Sequence, residues 1–96
     1  MISKNKAIAL TEQAKGKQWL EDLAYFTKTL EKQIDEAIQS SAQEARTSVF
    51  INIYRGAHPV HQLSNLSSMI KNTYGAEGYT VSTEVKGVEL EVTISW

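Results

Sequence analysis

The densest set of reactive side chains in this 96-residue chain is the stretch Tyr54-Arg55-Gly56-Ala57-His58-Pro59-Val60-His61. An apolar run ends there, a glycine turns the chain, and a proline suited to the first turn of a helix follows. The N-terminus of a helix presents unpaired N–H groups and the positive end of the helix dipole, both of which attract anions. Arg55 offers a bidentate contact to phosphate or carboxylate, and His58 and His61 add donors. Arg55, Gly56, His58 and His61 are therefore the expected ligand-binding set, and an anionic, nucleotide-like small molecule is the expected ligand. The same residues also read as an ordinary strand-to-helix turn with a solvated arginine at the strand end, and spacing alone does not separate the two.

Other chemistries find less support. His58 and His61 straddle a proline with no cysteine or carboxylate at a customary ligand spacing, so no metal and no cofactor are expected. Ser64, Ser67 and Ser68 lie close to His61 in the chain, but nothing around them forms a nucleophile elbow. Glu89 and Glu91 share one face of a strand, where a solvated polar surface is the simpler reading than a shared proton. Enzymatic activity is disfavoured, and no catalytic residue is assigned.

The elements that must position the turn are legible from periodicity. Apolar residues alternate at Val49, Ile51 and Ile53, at Val81, Thr83 and Val85, and at Val88, Leu90, Val92, Ile94 and Trp96, which predicts three strands with one buried face each. A two-residue loop at Lys86-Gly87 would set Val85 opposite Val88, Thr83 opposite Leu90 and Val81 opposite Val92, with Gly87 supplying a positive φ. Between the first two strands a helix is expected to open at Pro59, to cover the sheet with Val60, Leu63, Leu66, Ile70 and Tyr74, and to end at Gly75. If those strands are parallel, the connection is a right-handed crossover.

Everything before the first strand reads as helix, from an N-cap at Ser3 to about Arg46. Trp19, Leu23, Phe26, Leu30, Ile34 and Ala37 form one stripe that advances mostly by four-residue steps and keeps no strict heptad. Upstream, Ala7, Leu10 and Ala14 fall on roughly the opposite side, so the helix either kinks at Lys15-Gly16-Lys17 or buries different faces against different neighbours; a nearly continuous helix is preferred. At about 1.5 Å per residue it would span roughly 60 Å, more than the remaining fifty residues can cover. The stripe Trp19, Leu23, Phe26, Leu30 and Ile34 is accordingly expected to form a dimer or tetramer interface. The fold class is α+β: a long N-terminal helix over residues 1–46 and a β-α-β-β module over residues 47–96, in one domain.

Charge sharpens the expectation of assembly. The net charge is −1, which removes the broad electrostatic reason to expect nucleic acid. Residues 1–18 carry +3, from Lys4, Lys6, Lys15 and Lys17 against Glu12, whereas residues 19–45 carry −4. Such blocks are most simply solvated helix faces, or else a basic end that meets the acidic middle of a neighbouring, antiparallel first helix. There is no cysteine, no apolar run of membrane-spanning length and no secretory leader pattern, so a cytoplasmic protein is expected.

At Glu77-Gly78-Tyr79-Thr80-Val81 and Thr93-Ile94-Ser95-Trp96 the chain resembles small phage-encoded proteins of unknown function, with an N-terminal helix and a βαββ-like module ending in Ile-Ser-Trp. The resemblance implies a viral or prophage origin, a setting in which such proteins bind host factors or sequester defence signals. Two expectations of function stand together: an oligomeric, non-enzymatic interaction protein, with itself and a host protein as partners, or a binder of a small anionic molecule at residues 54–61.

Overall fold

The computed structural model describes residues 1–57 and 59–96. Ser3 caps the first helix: its hydroxyl accepts the Lys6 N–H at 3.2 Å. Helix α1 (Lys4–Tyr25) then runs without a break through Gly16, although glycine in a helix interior costs about 1 kcal/mol relative to alanine.

At Phe26–Leu30 the helix widens into one π-helical turn before continuing as α2 (Glu31–Gln43). The Phe26 N–H is shared between the carbonyls of Asp22 and Leu23, and the Glu31 N–H reaches back five residues to Phe26. The Thr27 hydroxyl donates to the Leu23 carbonyl at 3.0 Å, occupying the acceptor at the point where the ladder shifts. Buried positions explain the insertion. Asp22, Phe26, Leu30 and Ile34 are each at most 2 % exposed and stand four residues apart. In an α-helix each four-residue step slips by about 40° around the axis, so three steps would carry Ile34 well away from Asp22. The wide turn takes up that slip and keeps all four on the body side.

Helix α2 ends in a Schellman motif. The Arg46 N–H bonds the Ser41 carbonyl at 2.9 Å and the Ala45 N–H bonds Ala42 at 3.0 Å. Ala45 holds the left-handed position with φ 63°, where glycine is the usual occupant.

Strand β1 (Ser48–Tyr54), helix α3 (Leu63–Ala76), strand β2 (Thr80–Lys86) and strand β3 (Glu89–Ser95) complete the α+β fold. The sheet order is β1-β3-β2, with β3 antiparallel to both neighbours. β1 and β2 are therefore parallel to each other but separated by the last strand. Leu90, Val92 and Ile94 of β3 are fully buried under α3 and the π turn, where Phe26, Leu30, Ile34, Leu66, Ile70 and Tyr74 meet them in one core.

Three expectations need correction. The hairpin loop is Gly87-Val88, and Val85 pairs with Leu90, Thr83 with Val92 and Val81 with Ile94, two residues away from the expected register. A two-residue shift leaves every side chain on its own face, so the alternation could not detect it. Gly87 at φ 61° followed by Val88, which has no positive φ, is the type II′ pattern, and it leaves the Val88 carbonyl to accept the Arg55 N–H at 2.8 Å. Helix α3 opens at Leu63, after an extended Gln62, and not at Pro59; it runs one residue past Gly75. Lastly, Phe26, Leu30 and Ile34 belong to the chain's own core, so they do not present the interface expected of them. Leu23 packs against that core half-buried, and Trp19 remains 38 % exposed.

On the outer sheet face Glu84 of β2 stands directly opposite Glu91 of β3. Lys86 bridges them, 3.1 Å from Glu91 and 3.7 Å from Glu84, and the two carboxylates hold its ammonium above the usual lysine pKa. Among the described residues no helix is long and apolar enough to cross a membrane.

Candidate functional site

Where α1 passes the start of α3, two consecutive acids reach across. The Asp22 carboxylate is wholly buried and accepts the His61 N–H at 2.8 Å, the Gln62 N–H at 3.1 Å and the Asn65 side-chain amide at 3.0 Å. Glu21, one residue earlier and half-exposed, meets the His61 ring through its carboxylate. The Glu21-Asp22 pair thus grips His61 and Gln62 by side chain and backbone at once. Asp22 holds the two residues that lead into α3 and supplies a negative charge near the positive end of its dipole.

This geometry revises the expected ligand set. An anion does occupy the turn before α3, and it is the chain's own Asp22. Gln62, extended at φ −133° and ψ 118°, precedes the helix because its N–H and that of His61 are drawn toward the carboxylate instead of continuing a helix back to Pro59. Arg55 and Gly56 are exposed in the turn after β1. Arg55 edges a small depression of about 130 Å³ with Ser64, Val85 and Gly87. His61 lines a different groove of about 460 Å³, with Glu21, Lys28, Thr29 and Pro59. The structure therefore does not bring Arg55 and His61 into one pocket. His58 lies outside the described residues.

The serines near His61 take other partners. Ser67 Oγ is 2.6 Å from Thr83 Oγ1 and ties α3 to β2, while the His61 ring is engaged by Glu21. Among the described residues no three histidine, aspartate or glutamate side chains converge as metal ligands.

A second polar cluster lies at the far end of the body. The Tyr74 hydroxyl shares its one proton between Asp35 Oδ1 at 2.7 Å and the Glu31 carbonyl at 3.1 Å, locking α3 to α2. Burial first, then the hydrogen bond and the charge of Asp35, push the Tyr74 phenol well above its ordinary pKa. Tyr74, Tyr79 and Trp96 stack edge to face, with ring centroids 5.8 and 6.2 Å apart. With Glu31, Asp35 and Glu77 they border an open groove of about 620 Å³.

Sequence reasoning missed Asp22. Its signal was position: a carboxylate at residue 22 stands one four-residue step before Phe26, on the stripe that faces the core, where an unpaired charge is not tolerated. Comparison with known protein families, with curated proteins and with solved structures finds no match to this chain.

Proposed function

We propose that this chain is a non-enzymatic interaction protein, in which the β-α-β-β body and α2 hold out residues 4–20 of α1 as an arm for a macromolecular partner. One observation carries the reading: between Lys4 and Leu20 every residue is exposed except the half-buried Ala7 and Gln18, whereas from Asp22 onward the helix is built into the core. The molecule measures 61 × 26 × 21 Å. Its radius of gyration, 15.9 Å, exceeds the about 12.5 Å of a globular chain this long. A helical segment exposed over most of its surface gains little from tertiary packing, which is where most helical stability arises.

The resemblance to small phage-encoded proteins supports an accessory role in a phage or prophage, within the host cytoplasm and against a host protein. The competing reading, an anionic ligand at residues 54–61, is weakened because Asp22 already accepts from the His61 and Gln62 N–H groups and sets a negative charge beside that turn.

Amide hydrogen exchange of the dilute chain tests the proposal. The amides of residues 4–20 are expected to exchange at least a hundredfold faster than those of Leu90, Val92 and Ile94. Equal protection of arm and core at the lowest measurable concentration would make the arm a part of the body and defeat this reading.

A further inference from the structure

We infer that the open edge of β1 docks a second copy of this chain, whose own β1 pairs with it antiparallel, Phe50 against Phe50, to make one continuous sheet. Peptide geometry is the first argument. The Trp96 N–H bonds the Thr47 carbonyl at 2.9 Å, and the Arg55 N–H bonds the Val88 carbonyl at 2.8 Å. Along an antiparallel ladder such bonding recurs at every second residue, so Val49, Ile51 and Ile53 also turn their peptide groups to β3. Ser48, Phe50 and Asn52 turn theirs the other way, off the side of the sheet, where among the described residues no strand meets them. All three are exposed. A row of alternating donors and acceptors is matched only by another extended backbone.

Composition says which backbone. Strand edges in monomers are blunted by charge, proline or a bulge. The opposite edge, β2, carries Glu84 and Lys86. β1 carries no charged residue and no proline, and it pairs with β3 residue for residue from Ser48 to Tyr54, without a bulge. Beside this undefended edge Phe50 is 58 % exposed on the outer face, and Val49 and Ile51 are only half-buried on the inner one. An uncharged strand meets its own copy without repulsion, and the copy offers the same apolar inner row. β1 is thus its own complement.

The bonds already made select the register. The Arg46 N–H is held by the Ser41 carbonyl and the Tyr54 carbonyl by the Ala57 N–H, so neither residue is open to pair fully. With Phe50 on the two-fold axis, Ser48 of each chain faces Asn52 of the other, and every edge-facing N–H and carbonyl of the three residues finds a partner. Neighbouring antiparallel registers call on Arg46 or Tyr54 instead. The same register sets the two Phe50 rings side by side on the outer face and Val49 beside Ile51 of the other chain on the inner face. The contact is isologous and closes as a dimer. Residues 4–20 take no part in it.

Sedimentation of the wild-type chain from 1 to 200 µM is expected to show a dimer. Phe50→Lys sets two ammonium groups face to face, and Asn52→Pro replaces an edge-facing N–H with a ring that an edge strand tolerates. Each is expected to weaken the dimer at least tenfold while the amides of Leu90, Val92 and Ile94 stay protected from exchange. Ser82→Lys, on the outer face of β2, is expected to change it less than twofold. The chain has no cysteine, so engineered ones report the register: Phe50→Cys, mildly oxidised, is expected to crosslink at least five times faster than Asn52→Cys. A monomer throughout, or a dimer that survives either edge variant with the core amides still protected, would overturn the pairing. Equal or reversed crosslinking rates would overturn the register. Arm amides that exchange freely leave the arm intact in each case, so the two ideas fail separately.

Discussion

The Asp22 carboxylate and the His61 backbone N–H, thirty-nine positions apart, meet at 2.8 Å. That bond joins the last buried turn of α1 to the first residues before α3. It fixes both where the arm leaves the body and where the second helix begins.

Replacing Asp22 with alanine should therefore be costly. It strips the acceptor from two backbone N–H groups and one side-chain amide, and hydrogen bonds to a charged group are worth more than neutral ones. A loss of about 3 kcal/mol is expected, and about 2 kcal/mol for Asp22→Asn, which keeps the shape but turns a donor toward donors. Urea unfolding checks it; a loss below about 0.5 kcal/mol for both variants would show that the contact does not matter.

Deleting the exposed residue Lys28 should convert the π turn to regular helix with little rotation of α1, because eleven residues at about 100° each return Asp22 to within about 20° of its direction relative to Ile34. Asp22 then still faces His61. The expected result is a loss of stability well below that of Asp22→Ala, with most of the Asp22→Ala loss still seen when the two changes are combined. The same urea measurement decides; a loss as large as that of Asp22→Ala, with none added on combination, would show that the wide turn does not absorb one residue.

Ala45→Gly should stabilise. The left-handed φ of 63° carries a steric cost for alanine that glycine does not bear. A gain of about 0.5–1 kcal/mol is expected, seen as a higher urea midpoint with an unchanged slope.

Base should destabilise the fold through Tyr74. Its folded pKa is raised by burial and by Asp35, so the folded state keeps a proton that the unfolded chain gives up near pH 10. The contribution is full below that pH and declines as the pH rises toward the folded value. Stability measured between pH 9 and 11.5 should fall, and Tyr74→Phe, which has no proton to lose, should fall less steeply.

Much of this architecture is legible in the sequence, because strand alternation and helical stripes report burial directly. Val49 to Ile53 and Leu90 to Ile94 fell where the alternation put them. The hairpin register escaped for the reason that it differs by two residues, a shift to which a period of two is blind. The π turn escaped although the four-residue spacing of Phe26, Leu30 and Ile34 was visible: that spacing fits either a drifting α-helix against many neighbours or a widened turn against one. The candidate site was hardest. Attraction of an anion to the start of α3 was a sound inference from Pro59 and the turn, but the nearest anion in space came from residue 22, and no local pattern encodes a contact over thirty-nine positions.

The central place of β3 has a kinetic consequence. β1 and β2 make no ladder with each other, so a chain that has been synthesised only as far as Lys86 holds two strands with nothing to pair with. Both ladders wait for Glu89–Ser95, which closes a long loop to β1 and a tight turn to β2. Helices form on local contacts far sooner than such pairings. The ribosome thus releases preformed helices beside two open strand edges, and the interval before the final strand arrives is when this chain is most exposed to misassociation.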